Sequence, residues 1–269
     1  MEKRTKIIAE IGWNHMGDVN LAKEMISAAY ENGASFAKFQ TWSVSRLKSG
    51  PWDSDGRREI YNNAELSIED HHDLKSYCDK VGIEFFSSVF SIPDSELLSS
   101  VQNDYVKIAS FDSRNIDLLN HVNKSFNKIF ISTGTSSLNE VRNIVNHIDE
   151  NKLVLFHCVS SYPLSPENSN LPRINDLKNL SKEVGYSDHT FGVEVTKASL
   201  EYNIQYIEKH FTTDQSLPGR DNKFAILPED LKNLSDYIKT RDDSNIYHGE
   251  GPLDCELEAR SVQTERFNG

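Results

Sequence analysis

The stretch that decides the fold is Val184–Thr212, with the sequence VGYSDHTFGVEVTKASLEYNIQYIEKHFT. Its pattern predicts a strand, a loop, a helix, a second strand and a loop, which is the repeating unit of parallel α/β proteins. Each strand ends in ionisable residues that finish on a histidine, His189 for the first strand and His210 for the second. Because the carboxyl ends of parallel strands meet at one edge, the two imidazoles are expected close together, where they could hold a metal ion.

Short apolar runs of this kind recur along the chain, with helical patterns between them. Eight runs predict strands: Lys6–Ile11, Phe36–Gln40, Glu84–Ser87, Tyr105–Ser110, Ile129–Thr133, Leu153–Cys158, Val184–Ser187 and Gln205–His210. Eight patterns predict helices: Asn20–Asn32, Ser67–Lys80, Pro93–Val101, Asn115–Lys124, Ser137–His147, Pro172–Lys182, Gly192–Asn203 and Pro228–Thr240. Nearly continuous apolar runs are typical of parallel strands covered on both faces. The alternation predicts an α/β fold, a (β/α)8 TIM barrel with a single domain.

A doubly wound sheet is the alternative α/β architecture. Such sheets usually carry G-x-G-x-x-G after the first strand, whereas residues 12–17 here are GWNHMG. The barrel is predicted to occupy residues 1–240, and residues 241–269 form a C-terminal extension that packs on the barrel or lies at an interface. The longest irregular stretch, Thr41–Leu66, follows the second strand and is expected to cover the active face as a partial lid.

The composition is typical of an acidic globular protein. Its 41 acidic and 29 basic residues give a formal net charge of −12, which argues against nucleic acid or an anionic membrane as a partner. No apolar run approaches the roughly 20 residues of a membrane-spanning helix, and Glu10 interrupts the first apolar run, unlike a signal peptide. The three cysteines follow no disulfide or zinc spacing. A reducing, cytoplasmic location is expected.

Polar residues are concentrated at the carboxyl ends of the predicted strands, where barrel enzymes place their active sites. Lys38 and Lys107 each have apolar neighbours in the sequence, which indicates side chains inside the barrel that need an anionic partner. Residues two apart share one face of a strand, so Glu208 and His210 are expected on one face and Lys209 on the other. Two inward lysines among hydroxyl groups indicate a pocket for a phosphorylated or carboxylated ligand.

Several short motifs, most of them at the predicted strand ends, follow one another along the chain. They are IIAEIGWNHMGD, AKFQTW, FFSSVF, YVKIAS, FISTG, HCVSSYP, GYSDHT, EKHFT and PGRD, between residues 7 and 221. In these motifs the chain resembles the sialic acid synthase (N-acetylneuraminate synthase) family. The resemblance implies a barrel enzyme that condenses phosphoenolpyruvate with an open-chain aldose, releases phosphate and forms a 3-deoxy-2-ulosonic acid such as a nonulosonic acid. It also implies a divalent metal: Mn²⁺, Mg²⁺ or Co²⁺.

The resemblance implies roles for individual residues. His189 and His210 would ligate the metal, and Lys38 and Lys107 would neutralise the phosphate and carboxylate of phosphoenolpyruvate. Glu10 would position or deprotonate water, or handle a proton of the sugar. The positions that match ligand-holding hydroxyls or amides are Ser88, Ser110, Ser132, Ser160 and Ser187. The positions that match the surroundings of the aldose and the attacking water are Glu10, Gln40, Tyr162 and Asp221.

Several departures from the family pattern concern the sugar side of the site. Phe111 and Asp112 stand where relatives have a glycine and a glutamate, and Arg220 is an additional cation. Relatives continue into a C-terminal antifreeze-like domain that supplies an arginine to the partner subunit. A homodimer, or a separate antifreeze-like domain acting in trans, is therefore expected, and Arg220 or Arg46 could replace that arginine.

Two other functions remain open from the sequence. One is a Schiff-base aldolase that uses Lys107 or Lys38 as its amine nucleophile. The other is a catalytically degenerate or trans-complemented barrel that acts as a binding partner, which the residues Phe111 and Asp112 favour.

Overall fold

Eight parallel strands form a closed barrel in which neighbours follow the order of the chain. A computed structural model describes residues 4–264 and 266 of the protein. The strands are β1 Lys6–Gly12, β2 Phe36–Thr41, β3 Glu84–Val89, β4 Tyr105–Ile108, β5 Lys128–Ser132, β6 Leu153–Cys158, β7 Glu183–Asp188 and β8 Tyr206–His210. β8 pairs with β1 and closes the ring. The predicted single-domain (β/α)8 TIM barrel is confirmed.

Helices follow the strands and form the outer layer. Those described are α1 Val19–Glu31, α2 Arg57–Ala64, α3 Ile68–Val81, α4 Ile92–Val101, α5 Ile116–Ser125, α6 Leu138–Val145, α7 Arg173–Lys178, α8 Glu194–Ser199, α9 Pro228–Ser244 and α10 Leu257–Gln263. The predicted helix Pro172–Lys182 is shorter than expected, because the amides of Leu180 and Ser181 both turn back to the carbonyl of Leu177. The pattern at Gly192–Asn203 becomes α8 followed by a 3₁₀ turn, Leu200–Tyr202.

The prediction for Thr41–Leu66 as an irregular loop was wrong in part. The segment contains α2 and two 3₁₀ turns, Val44–Arg46 and Pro51–Asp53. The sequence of α2, RREIYNNA, is mostly polar, and its three apolar residues, Ile60, Tyr61 and Ala64, span a single turn, which is too short for hydrophobic periodicity to reveal a helix. Its first turn follows Gly56, which adopts a left-handed φ of 87°. The segment lies over the barrel mouth, as expected for a lid.

Two apolar layers hold the barrel together. The larger one fills the space between strands and helices, and the smaller one fills the barrel interior. The interior layer, here called the aromatic floor, consists of Ile8, Phe36, Phe86, Tyr105, Phe130, Val154, Phe156 and Tyr206. Gly185 leaves room for it, because a Cβ at this position would lie 2.6 Å from the ring of Phe156. The floor closes the lower end of the barrel.

The aromatic floor also determines which side chains face the barrel mouth. Residues two positions further along a strand lie on the same face. Phe36 therefore leads to Lys38, Tyr105 to Lys107, and Tyr206 to Glu208. The polar residues of the strand ends thus form a second interior layer directly above the floor.

The end of the chain continues from α9. Arg241, in the last turn of α9, donates hydrogen bonds to the Leu200 carbonyl and to Thr5 Oγ1 at 3.2 and 3.1 Å. Residues 243–264 are exposed. Part of the predicted extension 241–269 lies outside the described residues, as do residues 1–3 of the predicted barrel domain. The division at residue 240 and the interface role of the extension stay predictions. Within the described chain, no helix combines the length and apolar character required to cross a bilayer.

Candidate active site

A cavity of about 780 Å³ opens at the carboxyl ends of the strands. The aromatic floor lies below it, and the segment 41–66 forms part of its wall. The site residues named from the sequence line this cavity together: Glu10, Lys38, Gln40, Ser88, Lys107, Ser110, Ser132, Ser160, Tyr162, Ser187, His189, His210 and Asp221. A single large cavity with converging polar groups is the usual form of a small-molecule site.

Lys38 is buried and surrounded by acceptors. Its Nζ lies 2.5 Å from Glu10 Oε2 and 3.7 Å from Glu208 Oε2, and it donates to Ser88 Oγ at 3.0 Å. Gln40 Nε2 donates to the other oxygen of Glu10 at 2.7 Å. Burial lowers the pKa of Lys38, but the two carboxylates outweigh this effect and leave the pKa raised. Lys38 is therefore a fixed positive charge at neutral pH.

Lys107 occupies the other side of the cavity. Its Nζ donates to Ser132 Oγ at 2.7 Å and lies 3.5 Å from Glu208 Oε2. Burial lowers the pKa of Lys107 more than Glu208 raises it, and Lys38 lowers it further. The two lysines thus share one carboxylate, whose other oxygen accepts from Ser187 Oγ at 2.9 Å.

The two buried carboxyl groups differ in their pKa. Burial favours the neutral form of Glu208, but the charges of Lys107 and Lys38 outweigh burial and lower its pKa to about 2. Burial raises the pKa of Glu10, and the Lys38 ammonium only partly offsets this increase, while the charge of Glu208 adds to it. Glu208 is therefore the permanent anion of the pair, and Glu10 is the group that can take up a proton.

The β4, β5 and β6 ends form a cradle of small groups. Ser110 Oγ accepts a hydrogen bond from the Gly134 amide at 3.1 Å and lies 3.1 Å from Cys158 Sγ. Ser160 Oγ is buried without a hydrogen-bond partner. A Cβ on Gly134 would lie 2.5–2.9 Å from Ser160 Oγ, Ser110 Oγ and Cys158 Sγ. The cradle therefore requires glycine, and its hydroxyl groups are suited to hold anionic oxygens.

His189 and His210 face each other across the mouth, with ring centroids 5.7 Å apart. The Nδ1 of His189 lies 2.8 Å from the Val159 carbonyl and its Nε2 lies 3.4 Å from Ser187 Oγ, while His210 Nδ1 is buried without a hydrogen bond. Burial lowers the pKa of His189 to about 4 and lowers that of His210 well below its usual value. Both imidazoles are neutral at pH 7, the form that ligates metals.

The histidine pair has further neighbours. The Tyr162 ring lies 4.2 Å from His189 and 5.9 Å from Phe224, centroid to centroid. Asp221 Oδ2 lies 3.5 Å from His210 Nδ1. Burial raises the pKa of Asp221 to about 7, and the nearby Glu10 carboxyl contributes. In the described part of the chain, no group of three or more His, Cys, Asp or Glu side chains is arranged to hold a metal ion.

An aromatic wall closes the side of the cavity next to the lid. We use this name for Trp13, Trp42 and Tyr61. The Trp13 ring lies 5.2 Å from Tyr61 and 6.3 Å from Trp42, and the latter two lie 5.8 Å apart. The lid is also tied to the barrel by an ion pair between Arg46 and the buried Asp94.

The remaining departures from the family pattern lie at the rim. Arg220 is exposed, and Phe111 is 65% exposed. Asp112 lines the cavity, where burial and the charge of Asp94 raise its pKa to about 6. None of these three residues is among the hydrogen-bond or ion-pair partners given above for the two lysines and the two histidines.

Sequence reasoning placed Glu208 on the same face of β8 as His210 but assigned it no role in the site, and it did not include the aromatic wall. Lys209 points outward, as expected, and lies 2.9 Å from Asp188 in a buried ion pair between the sheet and the helices. His157 also has a structural contact, 2.8 Å from the Ser169 carbonyl.

The chain is similar to known proteins over most of its length. The model of the NeuB family matches residues 25–246. The N,N'-diacetyllegionaminic acid synthase of Legionella pneumophila is 37% identical across 95% of this chain and 77% of its own length. The pseudaminic acid synthase of Campylobacter jejuni is 31% identical across 96% of this chain and 79% of its own.

Solved structures show the same relationship. The crystal structure of an N-acetylneuraminic acid synthetase from Leptospira borgpetersenii superposes with a TM-score of 0.84 and 30% identity, and covers 98% of this chain and 92% of its own. The resemblance predicted from the strand-end motifs is confirmed. The chain belongs to the NeuB family, the family of sialic acid synthases and their relatives.

Proposed function

We propose that this enzyme condenses phosphoenolpyruvate with an open-chain aldose, N-acetylmannosamine or a related sugar, to give a nonulosonic acid and phosphate. The observation that carries the proposal is the placement of Lys38 and Lys107, buried side by side above the aromatic floor and next to a pair of neutral histidines. Relatives named as legionaminic, pseudaminic and N-acetylneuraminic acid synthases support the same class of reaction.

Charge balance supports phosphoenolpyruvate as the ligand of the deeper part of the cavity. Two ammonium groups face two carboxyl groups there, so the arrangement is balanced before an anion enters. A bound anion favours one extra proton, and Glu10, whose pKa is raised, is the group that takes it. The hydroxyls of Ser110, Ser132 and Ser160 supply donors for the phosphate and carboxylate oxygens.

A divalent metal, Mn²⁺, Mg²⁺ or Co²⁺, fits the histidine pair. His189 lines the cavity with only the 3.4 Å contact to Ser187 at its Nε2, and His210 Nδ1 has no hydrogen bond, so each imidazole has a nitrogen available as a ligand. Two protein ligands leave the other positions to substrate oxygens and water, as in catalytic sites. When bound, the metal would act as a Lewis acid on the aldehyde oxygen.

The chain's own groups provide the proton transfers. C3 of phosphoenolpyruvate forms a bond to the aldehyde carbon, and the aldehyde oxygen becomes a hydroxyl by taking a proton from Glu10. Water adds to C2 and gives a proton back to the deprotonated Glu10. The bond from C2 to the phosphate oxygen then breaks while the C2 hydroxyl gives its proton to the departing phosphate, which leaves a ketone at C2 and releases inorganic phosphate. Lys38 and Lys107 hold the phosphate and carboxylate throughout these steps.

The proposal is tested by phosphate release from phosphoenolpyruvate with a panel of aldoses and Mn²⁺. In ¹⁸O-labelled water, C–O cleavage leaves the released phosphate unlabelled, whereas P–O cleavage labels it. His189→Ala should abolish turnover, and unchanged turnover in that variant would exclude the metal assignment. Binding of phosphoenolpyruvate without turnover of any aldose would favour the degenerate binding barrel instead.

The Schiff-base alternative has one observation in its favour, the lowered pKa of Lys107. A lysine with a lowered pKa is a better amine nucleophile. Borohydride treatment with pyruvate would trap a covalent adduct on Lys107, and its absence from Lys107→Arg would assign the site. The expected result for the condensing synthase is no adduct in either protein.

The partners and the location of the enzyme remain proposals. We propose a cytoplasmic enzyme that works as a homodimer or with a separate antifreeze-like domain in trans, and Arg46 or Arg220 supplies the additional cation at the rim. Light scattering of the purified chain measures its oligomeric state directly. An Arg220→Gln variant with unchanged sugar affinity would argue against Arg220 as the additional cation.

A further inference from the structure

Trp13 carries an unused hydrogen-bond donor within the aromatic wall. It is 8% exposed and lines the cavity, and its Nε1 has no hydrogen-bond partner. The other two tryptophans differ in this respect: Trp42 Nε1 donates to the Tyr61 carbonyl at 3.3 Å, and Trp52 Nε1 donates to the Lys48 carbonyl at 2.7 Å. Because buried donors are nearly always satisfied, this vacancy at a cavity surface points to a ligand acceptor.

The surroundings indicate that this acceptor is neutral. The Trp13 indole N–H acts on Asp221 as a hydrogen-bond donor would and lowers the pKa of that carboxyl, against the larger effect of burial, but the two groups do not meet the distance and angle of a formed hydrogen bond. The charge of Glu10 also acts on Asp221. Arg220 acts on Asp221 with the opposite sign, so this part of the cavity has no excess positive charge for a second anion, whereas Lys38 and Lys107 favour one deeper in the barrel.

The wall also offers an apolar surface beside the donor. Tyr61 lies tilted against the Trp13 ring, and Trp42 approaches it edge-on. A donor next to aromatic carbon suits a group that has a carbonyl oxygen at one end and a methyl group at the other. An acylamino substituent has this form, whereas a hydroxyl group would leave the aromatic surface uncovered.

We propose that Trp13 is a specificity-determining residue, which donates its indole N–H to the carbonyl of an acylamino group on the acceptor sugar while the methyl group packs on the aromatic wall. This inference rests on the proposed function, because it assigns part of the acceptor site. It adds a residue that distinguishes acylated from non-acylated aldoses.

The first test is direct and does not depend on turnover. The protein has three tryptophans, so a ¹⁵N spectrum contains three indole N–H signals, and Trp13→Phe identifies one of them. With phosphoenolpyruvate and a chelator present, N-acetylmannosamine should move the Trp13 signal downfield, and mannose should not. An unmoved signal at saturating N-acetylmannosamine, or an equal shift with mannose, would overturn the proposal and leave the indole as a neighbour of Asp221.

The second test is kinetic. Trp13→Phe retains the ring and removes the N–H, so kcat/KM for N-acetylmannosamine relative to mannose should fall about three- to tenfold. Tyr247→Phe is the control, because it removes a polar hydrogen from an aromatic residue that is 77% exposed and outside the cavity, and the ratio should stay unchanged. An unchanged ratio in Trp13→Phe would contradict the proposal. Failure of the wild-type chain to turn over any aldose would refute the proposed function, and the spectrum would still decide the role of Trp13.

Discussion

Glu208 is the residue that links the two lysines of the site. Its Oε2 lies 3.5 Å from Lys107 and 3.7 Å from Lys38, so a single carboxylate faces both charges that would hold phosphoenolpyruvate. This arrangement keeps two ammonium groups in a buried cavity when no ligand is bound. It also means that the incoming anion competes with a resident one.

Replacing that resident anion should therefore strengthen anion binding. Glu208→Gln keeps the shape of the side chain and an acceptor for Ser187, but removes the negative charge. We expect inorganic phosphate to bind about tenfold more tightly to the variant, as measured by calorimetry. Glu84→Gln, at the opposite end of the barrel, is the control and should show no change. Weaker binding in Glu208→Gln would mean that Glu208 acts mainly by holding the lysines in position.

Asp112 should make the stability of the protein depend on pH. Its pKa is raised to about 6 by burial and by Asp94, so the folded protein holds this proton more strongly than the unfolded chain. Stability from this group is therefore lost as the pH rises from about 4 to about 6. Asp112→Asn should unfold at higher denaturant concentration than the wild type at pH 7.5, with a smaller difference at pH 4.5. Equal differences at both pH values would contradict this expectation.

Among the elements, α6 shows how a local signal positions part of the site. Its capping box begins three residues after Gly134: the Ser137 amide donates to Glu140 Oε2 at 2.7 Å, and the Glu140 amide donates to Ser137 Oγ at 3.3 Å. These hydrogen bonds start the helix directly after the cradle formed by Gly134 and Ser110. The cap should therefore contribute to stability without touching the ligand.

Ser137→Ala should lower the free energy of unfolding by about 1 kcal/mol, because it removes a side-chain cap at the start of α6. Urea denaturation measures the change, and phosphate affinity should stay within experimental error. Ser100→Ala, at an exposed position in the last turn of α4, is a matched control that should cost less. A loss of phosphate affinity in Ser137→Ala would show that the cap also orders the cradle.

The elements also show what the sequence could and could not predict. The eight strands were predictable because each is a short apolar run that ends in polar residues, and the inward placement of Lys38 followed from its apolar neighbours. The helix α2 was not predictable from periodicity, since RREIYNNA is mostly polar and its apolar side is only one turn long, while Tyr61 packs against Trp42 over the mouth. The bridging position of Glu208 depends on two distant strands, which no local pattern specifies.

At the scale of the whole molecule, the aromatic floor joins the strands from the inside. Phe130 lies at its centre, with ring centroids 4.7 Å from Phe86, 5.0 Å from Tyr206 and 6.0 Å from Phe156. These residues belong to four different strands. The floor therefore stabilises the closed ring as a unit.

Phe130→Ala should lower the free energy of unfolding by about 3–5 kcal/mol, because it opens a cavity that the surrounding strands cannot fill. The thermal midpoint should fall accordingly. Phe191→Ala removes a phenylalanine that is 64% exposed and should have little effect. A small loss in Phe130→Ala would mean that the neighbouring rings repack.

The aromatic floor has a further consequence for the order of events at the site. It closes the cavity at one end, so that the lysines lie at the closed end and the aromatic wall lies near the opening. In the proposed reaction, a molecule seated over Lys38 and Lys107 would enter before the sugar that covers it and would leave only after that sugar or its product has gone. The closed end thereby imposes an order of binding and release without any moving gate: the ligand of the lysines binds first and leaves last.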